Sequence, residues 1–184
     1  YVQTRPEGMV YDYDKYNTKM ADLPTLRAEV QRILTLIQRE RLDFLNIAPM
    51  KCALEHDPDY LDKLGYNIAA LKKEGLIRFA CADTFSGEET YLKLIQTGQF
   101  DAMYVNFNFA DYQAEKNVIK EAKKRGMGVI TREVYMKGKM FAMAQEAGIQ
   151  NTGALADAAL RWSLSQDGVD MVIYGTDNPA YLRS

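Results

Sequence analysis

The sequence predicts an α/β protein built from repeated βα units around a parallel sheet. From Leu42 onward, short runs with strand character alternate with segments that repeat at helical spacing. The loops between them are short and no Pro-, Gly- or Ser-rich linker interrupts them, so residues 1–184 are predicted to form one domain. Six parallel strands suit a doubly wound sheet as well as an incomplete (β/α)8 barrel. The absence of a GxGxxG turn favours the TIM barrel, with about six of its eight strands present.

Helix signals recur between these runs. The first helix is the clearest, because Asp22 can cap it, Pro24 lies in its first turn and apolar residues follow at helical spacing. The spacing of Ser86 and Glu89 predicts a capping box before another helix. Thr152 is predicted to cap the last one. The remaining helices are predicted over 57–75, 113–125 and 140–147.

Strand signals separate the helices. The predicted strands cover 1–4, Leu42–Ile47, 77–83, 100–106, 127–132 and 169–174.

Composition excludes several classes of protein. A net charge of −2, with basic residues scattered among acids, argues against a nucleic-acid partner. No apolar run is long enough to span a membrane and the start has no signal-peptide pattern, so a cytoplasmic location is expected. A start without Met indicates that further residues precede Tyr1. Cys52 and Cys81 lack metal-site spacing and are predicted to be reduced, mostly structural thiols, so no metal site is predicted.

Several segments, taken in order, resemble the aldo-keto reductase superfamily. They read LDFLNI at 42–47, LKKEGLIRF at 71–79, FDAMYVNFN at 100–108, GMGVITREVYMKG at 126–138 and VIYGTDNP at 172–179, with a further match over 156–164. The resemblance covers nearly the whole chain and implies an eight-stranded barrel that lacks its first one or two βα units here. Chemistry in such a barrel is done where the strands end and the βα loops converge.

The resemblance also implies a catalytic tetrad of Asp, Tyr, Lys and His, which this chain does not reproduce. The Asp and the proton-donating Tyr belong to the missing region. The Lys position falls on Arg5 and the His position on Ala48. Arg5 keeps a positive charge, whereas Ala48 supplies no hydrogen-bond donor. His56 could replace the imidazole, although a solvated loop residue is the better interpretation, and the catalytic residues remain unknown.

A nicotinamide cofactor, NADP or NAD, is the cofactor that the resemblance implies. Asp83 and Tyr104 correspond to the family's carboxamide-binding positions, and Arg132 ends the strand whose loop meets the phosphates. Gly138 and Gly175 with Thr176 fall in the loops that bind pyrophosphate and adenosine. The alternatives are that Asp83 caps its own loop, that Tyr104 is a wall aromatic, that Arg132 is merely solvated and that the glycines only form turns.

Three functions follow from these observations. The first is an oxidoreductase that transfers hydride between a nicotinamide cofactor and a small carbonyl or alcohol substrate. The second, suggested by Arg5 and Ala48, is a weakly catalytic or non-catalytic cofactor-binding or regulatory module. The third is a redox enzyme with an iron-sulfur domain beyond Ser184. The oligomeric state cannot be read from the sequence, and an unclosed barrel alone is predicted to aggregate or to associate with another copy.

Overall fold

A computed structural model describes residues 2–6, 16, 18–113 and 115–176. The chain forms two compact units, of which unit 1 comprises Tyr1–Met103 and Lys124–Met127, and unit 2 comprises Tyr104–Lys123 and Gly128–Ser184. The single domain over 1–184 therefore stays a prediction. Tyr1 of the first predicted strand, residue 114 of a predicted helix and 177–179 of the last matched segment lie outside the described residues.

Strands and helices alternate along the chain, as the sequence predicts. The strands are β1 (Gln3–Thr4), β2 (Leu42–Ile47), β3 (Ile77–Ala82), β4 (Ala102–Asn106), β5 (Gly128–Arg132) and β6 (Met171–Val172). The α-helices are α1 (Leu23–Ile37), α2 (Lys51–His56), α3 (Tyr60–Lys73), α4 (Glu88–Thr97), α5 (Lys120–Lys124), α6 (Lys139–Glu146) and α7 (Thr152–Leu164). Short 3-10 turns cover Lys19–Ala21 and Met136–Gly138, and a π-helical turn covers Glu115–Ile119.

The six strands follow one another across a single sheet in chain order, from β1 to β6. The pairs β1–β2, β2–β3, β3–β4 and β5–β6 are parallel. Across β2 and β3, Phe44 lies opposite Phe79 and Asn46 lies opposite Cys81. Since β1 and β6 end this order, the described strands form an open parallel sheet with helices as crossovers, which is the predicted partial barrel.

The first helix confirms its sequence signals. Asp22 is the N-cap, and its side chain accepts a hydrogen bond from Thr25 N at 3.0 Å, which satisfies one of the free donors of the first turn. The apolar stripe faces inward, with Leu26 and Val30 fully buried and Ile33 and Leu34 nearly so. Unit 2 has its own apolar cluster, formed by Val134, Met140 and Ala159, with half-buried side chains around it.

Three local predictions are wrong, and a fourth is confirmed in position but differs in form. Gly87 is the N-cap of α4, and no side chain caps that helix; Ser86 Oγ instead accepts a hydrogen bond from Lys51 N at 2.9 Å. The cap of α7 is Asn151, one residue before Thr152, and its Oδ1 accepts from Ala154 N at 2.9 Å. The predicted helix over 113–125 is confirmed over 115–124, where a π-helical turn precedes the short α5. Helix α2 was not predicted, and His56 is its last residue instead of a loop residue.

No helix among the described residues is long and apolar enough to cross a membrane. Within the same residues no three His, Cys, Asp or Glu side chains come together in a group that could hold a metal ion.

Candidate functional site

The last part of β4, from Tyr104 onward, belongs to unit 2 and carries polar side chains where the strand ends, next to the end of β5. Phe107 N donates to Arg132 O at 3.1 Å, which joins the two strand ends. Arg132 Nε donates to Asn106 Oδ1 at 2.6 Å, and its guanidinium carbon lies 6.0 Å from the ring centroid of Tyr104. Tyr104 is 5% exposed. The structure therefore brings together two of the predicted site residues, Arg132 and Tyr104, and adds Asn106, which sequence reasoning missed.

Asn108 fixes the loop that follows β4 and was also missed. It is 5% exposed, and its Nδ2 donates to Glu133 O at 3.2 Å. Its Oδ1 accepts from the backbone N–H groups of Ala110 and Asp111 at 3.0 and 2.9 Å. The signal for both asparagines was the alternation Asn-Phe-Asn at 106–108, because polar residues closing a buried strand stand where barrel strands end.

The loop after β5 has an unusual backbone. Glu133, Met136 and Lys137 have positive φ angles of 61°, 54° and 56°, and Gly138 follows at 86°. Residues other than glycine rarely adopt positive φ angles, and those that do concentrate at functional sites. Gly138 is required by its φ angle and not by a close neighbour, since a Cβ there would meet no atom within 4 Å. Its N–H donates to Tyr135 O at 2.9 Å.

The charges of this loop are predominantly positive. Lys137 is exposed and its Nζ lies 3.3 Å from Glu133 Oε1. Lys139 begins α6 and is exposed, and no described carboxylate lies within ion-pair distance of it. Together with Arg132, the loop presents three cationic side chains against one carboxylate, so it can attract an anion.

The two residues predicted after the last strand, Gly175 and Thr176, follow β6 in unit 2. Gly175 is exposed and Thr176 is half-buried. A Cβ on Gly175 would meet nothing within 4 Å, so packing does not demand a glycine there.

Asp83 lies in unit 1, directly after β3, and is fully buried. Its Oδ1 accepts hydrogen bonds from Thr84 N at 2.8 Å and from the Tyr91 hydroxyl at 3.4 Å. Ser86 N in turn donates to Thr84 Oγ1 at 3.2 Å. These bonds support the alternative in which Asp83 organises its own loop, and the carboxamide role stays a prediction.

The two residues that the resemblance aligns with tetrad positions also lie in unit 1. Ala48 follows β2 and is fully buried, and Arg5 follows β1 and is half-buried. The imidazole of His56 stacks on the ring of Tyr16, with centroids 3.7 Å apart and an interplanar angle of 1°. This stacking holds His56 against another side chain, so it gives no support to its use as a replacement for the missing imidazole.

The two cysteines are free and differ in exposure. Cys81 is fully buried in β3, and burial, with smaller contributions from Asp101 and Asp83, raises the pKa of its thiol to about 12. Cys52 is exposed, and its Sγ lies 3.5 Å from Tyr16 O. Cys81 is therefore a neutral structural thiol at physiological pH.

Only the comparison with solved structures finds proteins similar to this chain. No family model matches the sequence, and no curated protein matches it. Solved structures do match, among them an aldo-keto reductase from Bacillus halodurans in its holo form, with 15% identity and a TM-score of 0.71 over 89% of this chain and 58% of that chain.

Two further solved structures are similar to this chain in fold. Glycerol dehydrogenase from Gluconobacter oxydans has 16% identity and a TM-score of 0.65, over 88% of this chain and 57% of that chain. An aldo-keto reductase from Klebsiella pneumoniae in complex with NADP and acetate has 14% identity and a TM-score of 0.64, over 94% of this chain and 58% of that chain. The chain thus spans less than two thirds of the length of these proteins. The resemblance is confirmed at the level of the fold: over most of its length, the chain has the partial (β/α)8 barrel of the aldo-keto reductases.

Proposed function

We propose that this chain is part of an NAD(P)-dependent oxidoreductase of aldo-keto reductase type, which acts on a small carbonyl or alcohol substrate. The observation that carries the proposal is the end of β5 in unit 2. There Asn106 fixes the guanidinium of Arg132. The loop that follows has several residues with positive φ angles and carries two lysines, Lys137 and Lys139. The fold supports the same function, since its solved relatives are aldo-keto reductases.

The residues of unit 2 suit a dinucleotide phosphate. Lys137 and Lys139 provide positive charge at the exposed rim of the loop, while Arg132 is already oriented. Gly175 leaves open space beside its backbone, so an anion can approach closely. Gly138 contributes the left-handed turn, because its N–H is used by Tyr135 O. The phosphates would therefore be held mainly by side chains and by the segment at Gly175 and Thr176.

Tyr104 and Asp83 are supported to different degrees as cofactor-binding residues in this proposal. Tyr104 lies in unit 2 beside the Arg132 guanidinium, and its buried ring offers an apolar wall with a polar tip. Asp83 offers a carboxylate that already accepts two hydrogen bonds. Its contact with a carboxamide rests on the resemblance alone.

When bound, a reduced nicotinamide supplies a hydride to the carbonyl carbon, and an acid must protonate the oxygen to complete the alcohol. The described residues assign no such acid, and the catalytic residues stay unknown. The chain's own contribution would be to bind the dinucleotide, orient it through Arg132 and exclude water with its buried strand ends. Arg5 can still place a positive charge near a tyrosine hydroxyl and lower its pKa.

A titration of NADPH and NADH into the natural protein that carries this chain tests the proposal. Trp162 is a suitable reporter, since its ring stacks on Phe107 with centroids 5.3 Å apart and Phe107 bonds to Arg132 O. Saturable fluorescence change at micromolar nucleotide is expected. Folded protein that binds neither nucleotide would rule out the oxidoreductase function.

A matched pair of lysine variants locates the site. Lys139→Met should weaken NADPH binding roughly twofold to fivefold, equivalent to about 0.5 to 1 kcal/mol for an exposed charge. Lys93→Met is the control, because Lys93 is equally a surface lysine but pairs with Glu89 on α4 in unit 1. Equal effects of both variants would mean that nucleotide senses only the net charge.

A second candidate, a cofactor-binding or regulatory module that reduces carbonyls poorly, is favoured by one observation. Ala48 is fully buried and carries no donor at the position where the resemblance expects an imidazole. NADPH binding without any oxidation by a panel of aldehydes would support this candidate. Turnover with any of them would support the first.

A further inference from the structure

The face of β2 that carries Ala48 holds a second feature two residues earlier. Side chains alternate along a strand, so Phe44, Asn46 and Ala48 share one face. The register places Phe79 beside Phe44 and Cys81 beside Asn46. The face therefore has an aromatic layer at its base, where the two phenylalanine rings lie 5.2 Å apart, and a polar layer above it.

Asn46, in that polar layer, is a buried residue whose amide oxygen is unpaired. It is 7% exposed, and its Oδ1 is fully buried with no hydrogen-bond partner among the described residues. Burying an amide without satisfying it is unfavourable, and buried polar groups are normally paired. Asn67 shows the usual arrangement: it is 2% exposed and its Nδ2 donates to Met20 O at 3.0 Å.

The neighbours of Asn46 on β3 do not supply a strong donor. Cys81 is a fully buried thiol, which donates weakly. Asp83 is a carboxylate that accepts from Thr84 N and the Tyr91 hydroxyl. On the other side, Arg5 follows the Thr4–Leu45 pair and carries a charged donor. The amide of Asn46 is thus an uncharged donor on this face below Ala48, and either end of the amide can be turned toward a partner.

We infer that Asn46 is a positioning residue for the carbonyl oxygen of the substrate, acting through a bound water in place of the imidazole absent at Ala48. Residues two apart on a strand are separated by about 6.6 Å. Two successive hydrogen bonds through one water span about 5.7 Å, so one water covers most of that offset. The methyl side chain of Ala48 is smaller than the imidazole that the resemblance expects at this position. This inference rests on the proposed function.

The kinetic test uses Asn46→Leu in the natural protein, with NADPH and 4-nitrobenzaldehyde. We expect kcat to fall about tenfold to a hundredfold, less than for a direct oxyanion donor, with KM and NADPH affinity unchanged. The melting temperature should not fall, because an unsatisfied group has been removed. In the N46L background, Ala48→His should recover at least tenfold in kcat by restoring a direct donor.

Asn67→Leu is the control. It should lower the melting temperature by breaking a satisfied bond, while kcat stays unchanged. If N46L behaves like N67L, losing stability and keeping kcat, Asn46 is structural and the inference is overturned. Failure of A48H to raise kcat in a folded N46L protein also overturns it.

A readout independent of turnover separates this inference from the proposed function. The side-chain amide signals of Asn46, assigned by their absence from the N46L spectrum, should shift when acetamide, a non-reducible carbonyl probe, is added. NADPH binding with no such shift overturns the inference and leaves the proposed function standing. Absence of NADPH binding in the unsubstituted protein overturns the proposed function itself.

Discussion

Replacing Asn108 by alanine tests how the end of β5 is held in place. The side chain makes three hydrogen bonds at a site that is 5% exposed: one to Glu133 O and two from the N–H groups of Ala110 and Asp111. A net contribution of about 1 kcal/mol for each bond predicts a loss of about 3 kcal/mol in the free energy of unfolding. The loop carrying the left-handed residues should loosen, and NADPH binding should weaken as well.

The assay is urea unfolding followed by Trp162 fluorescence, which reports on the same unit. Asn151→Ala is the matched control, because it removes the same kind of side chain in unit 2 but only one exposed cap bond, to Ala154 N. That control should lose about 1 kcal/mol. If the two variants differ by less than about 0.5 kcal/mol, Asn108 does not hold the loop as argued.

The remaining predictions concern thiols, acid stability and a helix cap. Cys52 should react with a thiol reagent at pH 8 in the folded protein, whereas Cys81 should react only after unfolding, because it is buried and its pKa is raised to about 12. Burial by itself would raise the pKa of Asp170, but the hydrogen bonds from Lys123 and a backbone N–H lower it below its usual value. The ionised form therefore stabilises the fold above the unfolded pKa of about 4, and the stability difference between wild type and Asp170→Asn should shrink as pH falls below 4; a difference independent of pH would contradict this. Asp22→Ala should cost about 1 kcal/mol in thermal unfolding through loss of the α1 cap, and no loss would show that Pro at the first turn suffices.

Local sequence signals predicted the elements well where their physical cause was local. The period of apolar residues in α1 and the Asp22 cap act within one helix, and both are confirmed. The Ser86–Glu89 capping box failed because the Ser86 hydroxyl is used by a distant backbone group, Lys51 N, 35 residues earlier in the chain. Helix α2 gives no signal because it is short and no side chain caps it.

The candidate site also divides into residues with a local sequence signal and residues whose contacts are distant in the chain. Arg132 was predicted as a site residue because it ends a strand, where a parallel barrel does its chemistry. Tyr104 was predicted because the resemblance aligns it with a carboxamide-binding position, and both assignments stay predictions. Asn106 and Asn108 were missed because their roles depend on the end of β5, about 25 residues away in the chain. Asp83 was predicted from the resemblance, whereas its hydrogen bonds to Thr84 and Tyr91 follow from the fold of its own loop. The cytoplasmic location stays a prediction.

The sequence by itself determined the class of fold, because alternating periods of two and of 3.6 residues specify which segments can bury an apolar side as strands or as helices. It also fixed the identities of Arg5 and Ala48, whose alignment with the tetrad stays a prediction. Only the tertiary structure decided that Asn46 Oδ1 has no hydrogen-bond partner among the described residues and that Arg132 is fixed by Asn106. Hydrogen-bond satisfaction depends on which atoms meet across strands, and no local pattern in the chain encodes that meeting.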